Sequence, residues 1–289
     1  MDAPKKEISK IIESIVLQDD FRGMTALSPH MKKNYIDSSS NLLLKTQGEI
    51  MIITGFYIID ANASETDGPP GAVAMSNALK TLGFSTSLVT DKYSYEIVKA
   101  ISDETEVIEF PITDHRESAE FAKNLLSERN VGALISIERA GLVGDGTYRN
   151  WKGVDISPYN AKIDHLFDQH PRSIGIGDGG NEIGMGNLKT IIPGFKNLPD
   201  NPCVTTTTEL IISSCSNWGG YGLVADLSIK TGKNLLPTIE EAYRWVKTTV
   251  EHGAVEGMSA EHKDWVDGRD PEADSVCLRD LNKLLNSNM

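Results

Sequence analysis

The chain has 289 residues, 39% of them hydrophobic, with 41 acidic against 28 basic side chains and a formal net charge of −13. That balance argues against nucleic acid and anionic membrane surfaces as partners, since both need a basic footprint. The length suffices to bury the core of one large α/β domain. Three widely spaced cysteines, Cys203, Cys215 and Cys277, form no CxxC pair, so they read as reduced thiols in a cytosol-like compartment, not as a disulfide framework or zinc knuckle.

Ile8, Ile11, Ile12, Ile15 and Val16 recur at helical spacing among charged residues, predicting an amphipathic helix over 1–18 and not an export signal. Nowhere do 18 apolar residues run together. Residues 19–47 are polar, with Gly23, Pro29 and Ser38, Ser39 and Ser40, and read as an arm or lid. Segment 48–60 is almost continuously apolar, the pattern of a strand buried on both faces of a parallel sheet. A loop over 61–70, holding Asn62, Glu65, Thr66 and Asp67, precedes a helix opened by Pro70 and stopped by Gly83.

The rhythm continues with strand 85–90, helix 93–100, strand 105–110, helix 114–129 and strand 133–137. Beyond these come helix 160–169, strands 172–176 and 203–206, helix 236–253 and a short helix 276–285. Alternating strands and helices predict an α/β fold: a largely parallel, doubly wound, Rossmann-like sheet with helices on both faces and an N-terminal helical arm. The expected organisation is a single domain, with helix and arm over 1–47, core over 48–253 and a C-terminal extension over 254–289 whose acidic stretch 264–274 faces solvent. Ligands of such sheets sit beyond the carboxyl ends of the strands, where loops 61–71, 138–155, 177–186 and 207–221 meet.

The most informative of these loops follows strand 172–176. Gly175, Gly177 and Gly180 satisfy a GxGxxG pattern, but Asp178 and Glu182 would face a pyrophosphate with negative charge. The acidic residue expected at the end of the next strand is missing, because Asp200 lies among Pro193, Pro199 and Pro202, and no Lys-Ser/Thr pair follows the glycines. Neither a nicotinamide nor a flavin cofactor is expected. A glycine loop carrying acids suits a metal ion, an amine or proton transfer. Loop 138–155 gathers Glu138, Arg139, Arg149 and Lys152 beside aromatic rings, which suits a carboxylate, although surface ion pairs with Glu138 or Asp155 are the plainer reading for either arginine. Segment 213–222 offers small residues before a helix, as an anion hole or for close packing.

Taken together, Glu65-Thr66-Asp67-Gly68-Pro69-Pro70-Gly71, the run Ile137-Glu138-Arg139-Ala140-Gly141, the glycine loop 175–186 and Ser216-Asn217-Trp218-Gly219-Gly220-Tyr221 resemble the D-glutamate cyclase family. The resemblance spans roughly residues 20–260 and points to the catalytic C-terminal region of the longer mitochondrial enzymes. It implies a lyase that closes D-glutamate to 5-oxo-D-proline with loss of water. Within that chemistry Asp178 or Glu182, with Asn181 between them, is the catalytic set. Arg139, Arg149, Lys152, Asn217, Gly179 and Gly180 are the substrate-binding candidates. Asp67, Asp178 and Glu182 would hold a divalent metal, Mg²⁺, Mn²⁺ or Ca²⁺. The partner is a small amino acid, neither nucleic acid nor membrane; the oligomeric state stays open, a homo-oligomer included. The expected compartment is the cytoplasm, or the mitochondrial matrix if the chain is part of a longer eukaryotic protein. A metal-dependent phosphohydrolase and a non-catalytic ligand sensor are the alternatives. Plainer roles stand beside each residue: Glu182 at a helix start, Asp178 in an Asx turn, Asp67 in an ordinary turn, and Ser214, Cys215 and His165 as structural groups.

Overall fold

The computed structural model describes residues 3–289, with side chains from residue 7 onward, so Met1 and Asp2 of the expected first helix lie outside the described residues. Helices α1 (Ala3–Val16) and α2 (Tyr35–Leu44) precede strand β1 (Glu49–Thr54). A ribbon of β2 (Tyr57–Ile58) and β3 (Ala63–Ser64) follows, then α3 (Pro69–Thr81), β4 (Thr86–Thr90), α4 (Tyr95–Ile101), β5 (Glu106–Glu109), α5 (His115–Glu128) and β6 (Val131–Ile137). The chain continues through α6 (Asp164–Gln169), β7 (Ser173–Gly177), β8 (Glu209–Ile212), α7 (Ser216–Thr231), α8 (Ile239–Glu251) and α9 (Pro271–Asn288).

Six parallel strands form one sheet in the order β5-β4-β1-β6-β7-β8. The chain winds outward from β1 to β5, returns to lay β6 beside β1, and then winds the other way. This reversal opens a crevice at the carboxyl ends of β1 and β6. The register aligns Thr54 with Ile137, Ile137 with Ile176 and Gly177 with Ile212, so Gly55, Glu138, Asp178 and Ser213 leave the sheet along one rim.

The apolar run of β1 serves both faces. Ile50 and Ile52 pack into the cluster shared with α1, α2, α3, α7, α8 and α9, whereas Met51 and Ile53 point to the cluster built with α5 and α6. Helix α7 is buried almost throughout, and its glycines set how closely it approaches the sheet. A Cβ on Gly219 would meet Ile176 Cγ2 at 2.5 Å, and one on Gly220 would meet Ile137 Cδ1 at 3.0 Å.

Four expectations need correction. Residues 203–206 are not a strand: Cys203 and Val204 donate to the carbonyls of Gly180 and Leu142, and Thr205 O accepts from Gly184 and Gly186. The chain is extended there to tie loops together, and the pairing strand is β8, inside the region read as loop. The strand over 48–60 ends at Thr54, because Gly55 turns the chain at φ 106°. Stretch 264–274 is not solvent-facing throughout, since Asp267 and Arg269 are buried. Helix α9 also begins earlier than expected, with Asp270 capping Ala273 N at 2.9 Å and Pro271 in its first turn. The arm over 19–47 includes α2, which packs on α7 and β8. Among the described residues no helix is long and apolar enough to cross a membrane.

Candidate active site

Six carboxyl groups converge on the rim: Glu65 and Asp67 from the loop before α3, Glu138 after β6, Asp178 and Glu182 after β7, and Asp267 before α9. None exposes more than 5% of its surface. Asp67 and Asn217 clamp two helix starts together. Asp67 accepts from the backbone N–H groups of Ser216 and Asn217, both at 2.8 Å, while Asn217 Oδ1 accepts from Gly68 N at 3.0 Å and Gly71 N at 2.8 Å. Free N–H groups at the starts of α7 and α3 are thereby satisfied across the crevice.

Glu138 stands at the switch point with φ 43°, a left-handed conformation that a glutamate rarely adopts. Its Oε2 accepts from Ser216 Oγ at 2.6 Å, and a Cβ on Gly68 would lie 2.6 Å from its own Cβ, so only glycine fits opposite. Glu182 holds its loop: Oε1 accepts from Asp178 N at 3.0 Å and Gly179 N at 2.5 Å. The counter-charge comes from the arm. Arg22 pairs with Asp178 through Nη1 and with Asp267 Oδ1 through Nη2 at 2.9 Å. A turn locked by Asp20, which accepts from Gly23 N at 2.8 Å and Thr25 N at 2.7 Å, delivers it.

Crowding buried carboxyls together favours their protonated forms. Burial, then the neighbouring Asp267 and Asp67, push Glu65 well above the usual carboxylate range. Burial, followed by Asp178 and Glu182, does the same to Glu138. Asp267 is also held well above, by burial with Asp178 beside it and Arg22 opposing. Asp178 rises to about 7, because burial outweighs Arg22, and Asp67 rises to about 6 through burial and Asp267 despite its backbone donors. Burial works against the Arg22 charge, but Asp178 and Asp267 overcome it and keep the guanidinium firmly protonated.

Beside Glu65, Glu138 and Arg22 lies a cavity of about 230 Å³, whose wall also includes Lys152, Asn181 and Met258. It is smaller than the roughly 300–1,000 Å³ that drug-sized ligands occupy, and suits a molecule of amino-acid size. Of the residues expected at the site, Lys152 and Asn181 reach this wall. Gly179 lines an adjoining cleft with Phe21, Trp151 and Lys196. Gly180, at φ 88°, sits against Pro199 and serves the loop. Arg139 is turned under the rim, where its guanidinium donates to Gly55 O at 2.9 Å, Asp91 at 2.6 Å and Ala161 O at 3.0 Å. Arg149 is occupied within its own loop, with Asp145 at 2.7 Å and Gly153 O at 2.9 Å. Ser214 Oγ donates to Gln18 O at 2.6 Å, and His165 meets His115 edge to face away from the crevice.

The acids can hold a cation. Asp67, Glu138 and Asp178 each place an oxygen within 4.8 Å of the others. Asp178 Oδ2, Glu182 Oε2 and Asp267 Oδ2 are buried and accept no hydrogen bond among the described residues. Buried acceptors in that state call for a proton or a metal ion, and an all-oxygen set suits a hard divalent one. The trio contains Glu138 where the expected set had Glu182, whose other oxygen is spent on the loop. Sequence reasoning passed over Glu65 and Glu138 as wall carboxyls, although both stand in the matched motifs, and missed Arg22 and Asp267, for which it offers no signal.

Comparison with known proteins identifies the family. A sequence model described as D-glutamate cyclase-like, C-terminal, matches residues 12–282. Human mitochondrial D-glutamate cyclase is 32% identical over 210 residues, covering 66% of this chain and 34% of that protein, so the chain spans about a third of its relative's length. Among solved structures, an exopolyphosphatase-related protein from Bacteroides fragilis overlaps 89% of this chain and 57% of its own at 10% identity, with a TM-score of 0.41. RecJ in complex with Mn²⁺ from Thermus thermophilus overlaps 99% of this chain and 39% of its own at 13% identity, with a TM-score of 0.39. Both structural likenesses are too remote to bear on function. The match over 12–282 places the chain in the D-glutamate cyclase-like family, in the part that corresponds to its C-terminal region.

Proposed function

We propose that the chain is a lyase that cyclises D-glutamate to 5-oxo-D-proline with loss of water. The observation that carries this reading is the pair of buried carboxyls, Glu65 and Glu138, on the wall of an amino-acid-sized cavity in a chain of this family. The reaction forms a bond between the α-nitrogen and the carbon of the γ-carboxyl group and breaks one of that carbon's bonds to oxygen. Two protons leave the ammonium and depart with that oxygen as water. It therefore needs an acceptor for the amine proton and a donor to the leaving oxygen, and a cluster of carboxyls poised between protonation states provides both. Glu138, whose Oε2 accepts from Ser216, is the group placed to take the amine proton once it has given up its own, and Glu65, protonated by its surroundings, the group placed to donate. Lys152, paired with Asp60 at 3.3 Å, and Arg22, paired with Asp178 and Asp267, are the cations on the wall that would turn to the substrate's carboxylates, and fixing both ends of the molecule brings nitrogen and carbon within reach.

Asp67, Glu138 and Asp178 would hold a divalent cation, Mg²⁺, Mn²⁺ or Ca²⁺, which supplies Lewis-acid polarisation of the γ-carboxyl when bound. Asp178 and Glu182 then act through position, the first beneath Arg22 and the second bracing the loop. The test is incubation with D- and L-glutamate, with and without EDTA, scored for 5-oxoproline. Product from the D-enantiomer, reduced by chelator, is the expected result. No product from either enantiomer with metal added would overturn the reading.

A further inference from the structure

We propose that the chain also closes γ-D-glutamyl amides of apolar amino acids, and that a cleft beside the reaction cavity seats the amino acid released. This rests on the lyase reading of the site. The cleft measures about 420 Å³, and Arg22, Trp151 and Met258 belong both to its wall and to that of the cavity. Three large apolar side chains stay exposed around it: Phe21 at 61%, Trp151 at 49% and Met258 at 48%. Apolar groups left facing solvent beside a site mark a place for an apolar part of a ligand. Lys196, also on the cleft wall, is exposed and enters no ion pair among the described residues, so it is available to a carboxylate.

The cleft lies on the leaving-group side. Glu65, the proton donor, has its Oε2 2.0 Å from where a Cβ on Gly257 would stand, and the next residue, Met258, belongs to the cleft wall. Arg22 Nη2 also reaches Met258 Sδ, at 3.8 Å. Glu138, the proton acceptor, is tied instead to Ser216 at the start of α7. A glutamyl group with its amine toward Glu138 therefore presents the substituent of its γ-carbonyl to Glu65 and the cleft beyond. In free D-glutamate that substituent is a single oxygen, which leaves the cleft unfilled. In a γ-amide it is the nitrogen of an amino acid, whose side chain would lie among Phe21, Trp151 and Met258 and whose carboxylate would meet Lys196. The α-nitrogen bonds to the γ-carbonyl carbon, and the bond from that carbon to the amide nitrogen breaks. Two protons leave the glutamyl ammonium and two reach the departing nitrogen, which becomes the ammonium of the free amino acid. One carbon–nitrogen bond replaces another, with no water consumed and no redox change.

The full chain with Mn²⁺ is given γ-D-glutamyl-L-phenylalanine, the same dipeptide with its terminal carboxylate amidated, and D-glutamate, with 5-oxoproline and phenylalanine scored by mass spectrometry. The dipeptide should yield both products in equal amounts, with kcat/KM about tenfold or more above that for D-glutamate. Lys196→Glu should raise KM for the dipeptide about fivefold or more and leave the amidated dipeptide and D-glutamate within about twofold. Phe21→Ala should lower kcat/KM for both dipeptides and spare D-glutamate. With D-glutamate still cyclised, three results would overturn this proposal alone: dipeptide turnover no better than that of D-glutamate, indifference to both substitutions, or glutamate released in place of 5-oxoproline. Product from the dipeptides but not from D-glutamate would overturn the lyase reading and support this one. No 5-oxoproline from any of the three would overturn both.

Discussion

Replacing Glu138 with glutamine separates function from stability. Glutamine keeps the length of the side chain, and its amide oxygen can still accept from Ser216 Oγ, so the 2.6 Å contact survives. The backbone at φ 43° is equally strained for either residue. What changes is a buried acid with Asp178, Glu182, Glu65 and Asp67 as like-charged neighbours. Loss of a general acid or base costs roughly 10²–10⁴-fold in rate. Relief of a buried acid crowded by other carboxyls returns about 1–3 kcal/mol, and each kcal/mol moves Tm by about 2–4 °C in a chain of this size. The expected outcome is a collapse in 5-oxoproline formation, read by mass spectrometry, with a Tm by circular dichroism equal to or above that of the wild type. A variant that melts several degrees lower yet turns over at the wild-type rate would refute the reasoning.

Further outcomes follow from the same geometry. Asp178, held up to about 7, and Asp67, up to about 6, bind protons more tightly folded than unfolded. Their contribution to stability is full below an unfolded pKa of about 4 and is lost as pH rises through about 6 to 7. Melting in EDTA should therefore weaken across that window, with Asp178→Asn flattening the slope, and added Mn²⁺ should raise Tm more at about pH 8 than at about pH 5.5. Gly257→Ala would put a Cβ 2.0 Å from Glu65 Oε2, the movable end of that side chain; kcat/KM should fall about tenfold or more through this displaced acid, with Tm nearly unchanged. Lys152→Ala should raise KM for D-glutamate, while Arg149→Ala, away from the cavity wall, should leave KM within about twofold. Arg139→Met strands the buried Asp91 and should cost about 3–5 kcal/mol in denaturant unfolding.

Much of the scaffold was legible because each signal was local. β1 declared itself by unbroken apolar residues needed on both faces, and α3 by Pro70 at its start and Gly83 after its end. The glycine loop declared that something approaches its backbone. β8 was misplaced because Thr205 to Thr208 carry strand-like β-branching while serving as connectors, and only pairing with β7 identifies Glu209–Ile212. The site was half legible for the same reason. Asp67, Asp178, Asn181, Glu182 and Lys152 lie in motifs at predicted strand ends. Arg22 meets Asp178 across 156 residues and Asp267 across 245, and no spacing rule spans such separations. Arg139 sits in the right motif but faces inward, because Gly55 O, Asp91 and Ala161 O need a donor beneath the rim.

The most direct measurement uses D-glutamate carrying ¹⁸O on both γ-carboxylate oxygens and ¹⁵N on the amine, with the wild-type chain beside Glu138→Gln. The account predicts 5-oxo-D-proline from the wild type that keeps the ¹⁵N and one ¹⁸O, the other ¹⁸O appearing in water, and almost none from the variant. Equal product from both proteins, or a product that has lost its nitrogen label, would contradict it.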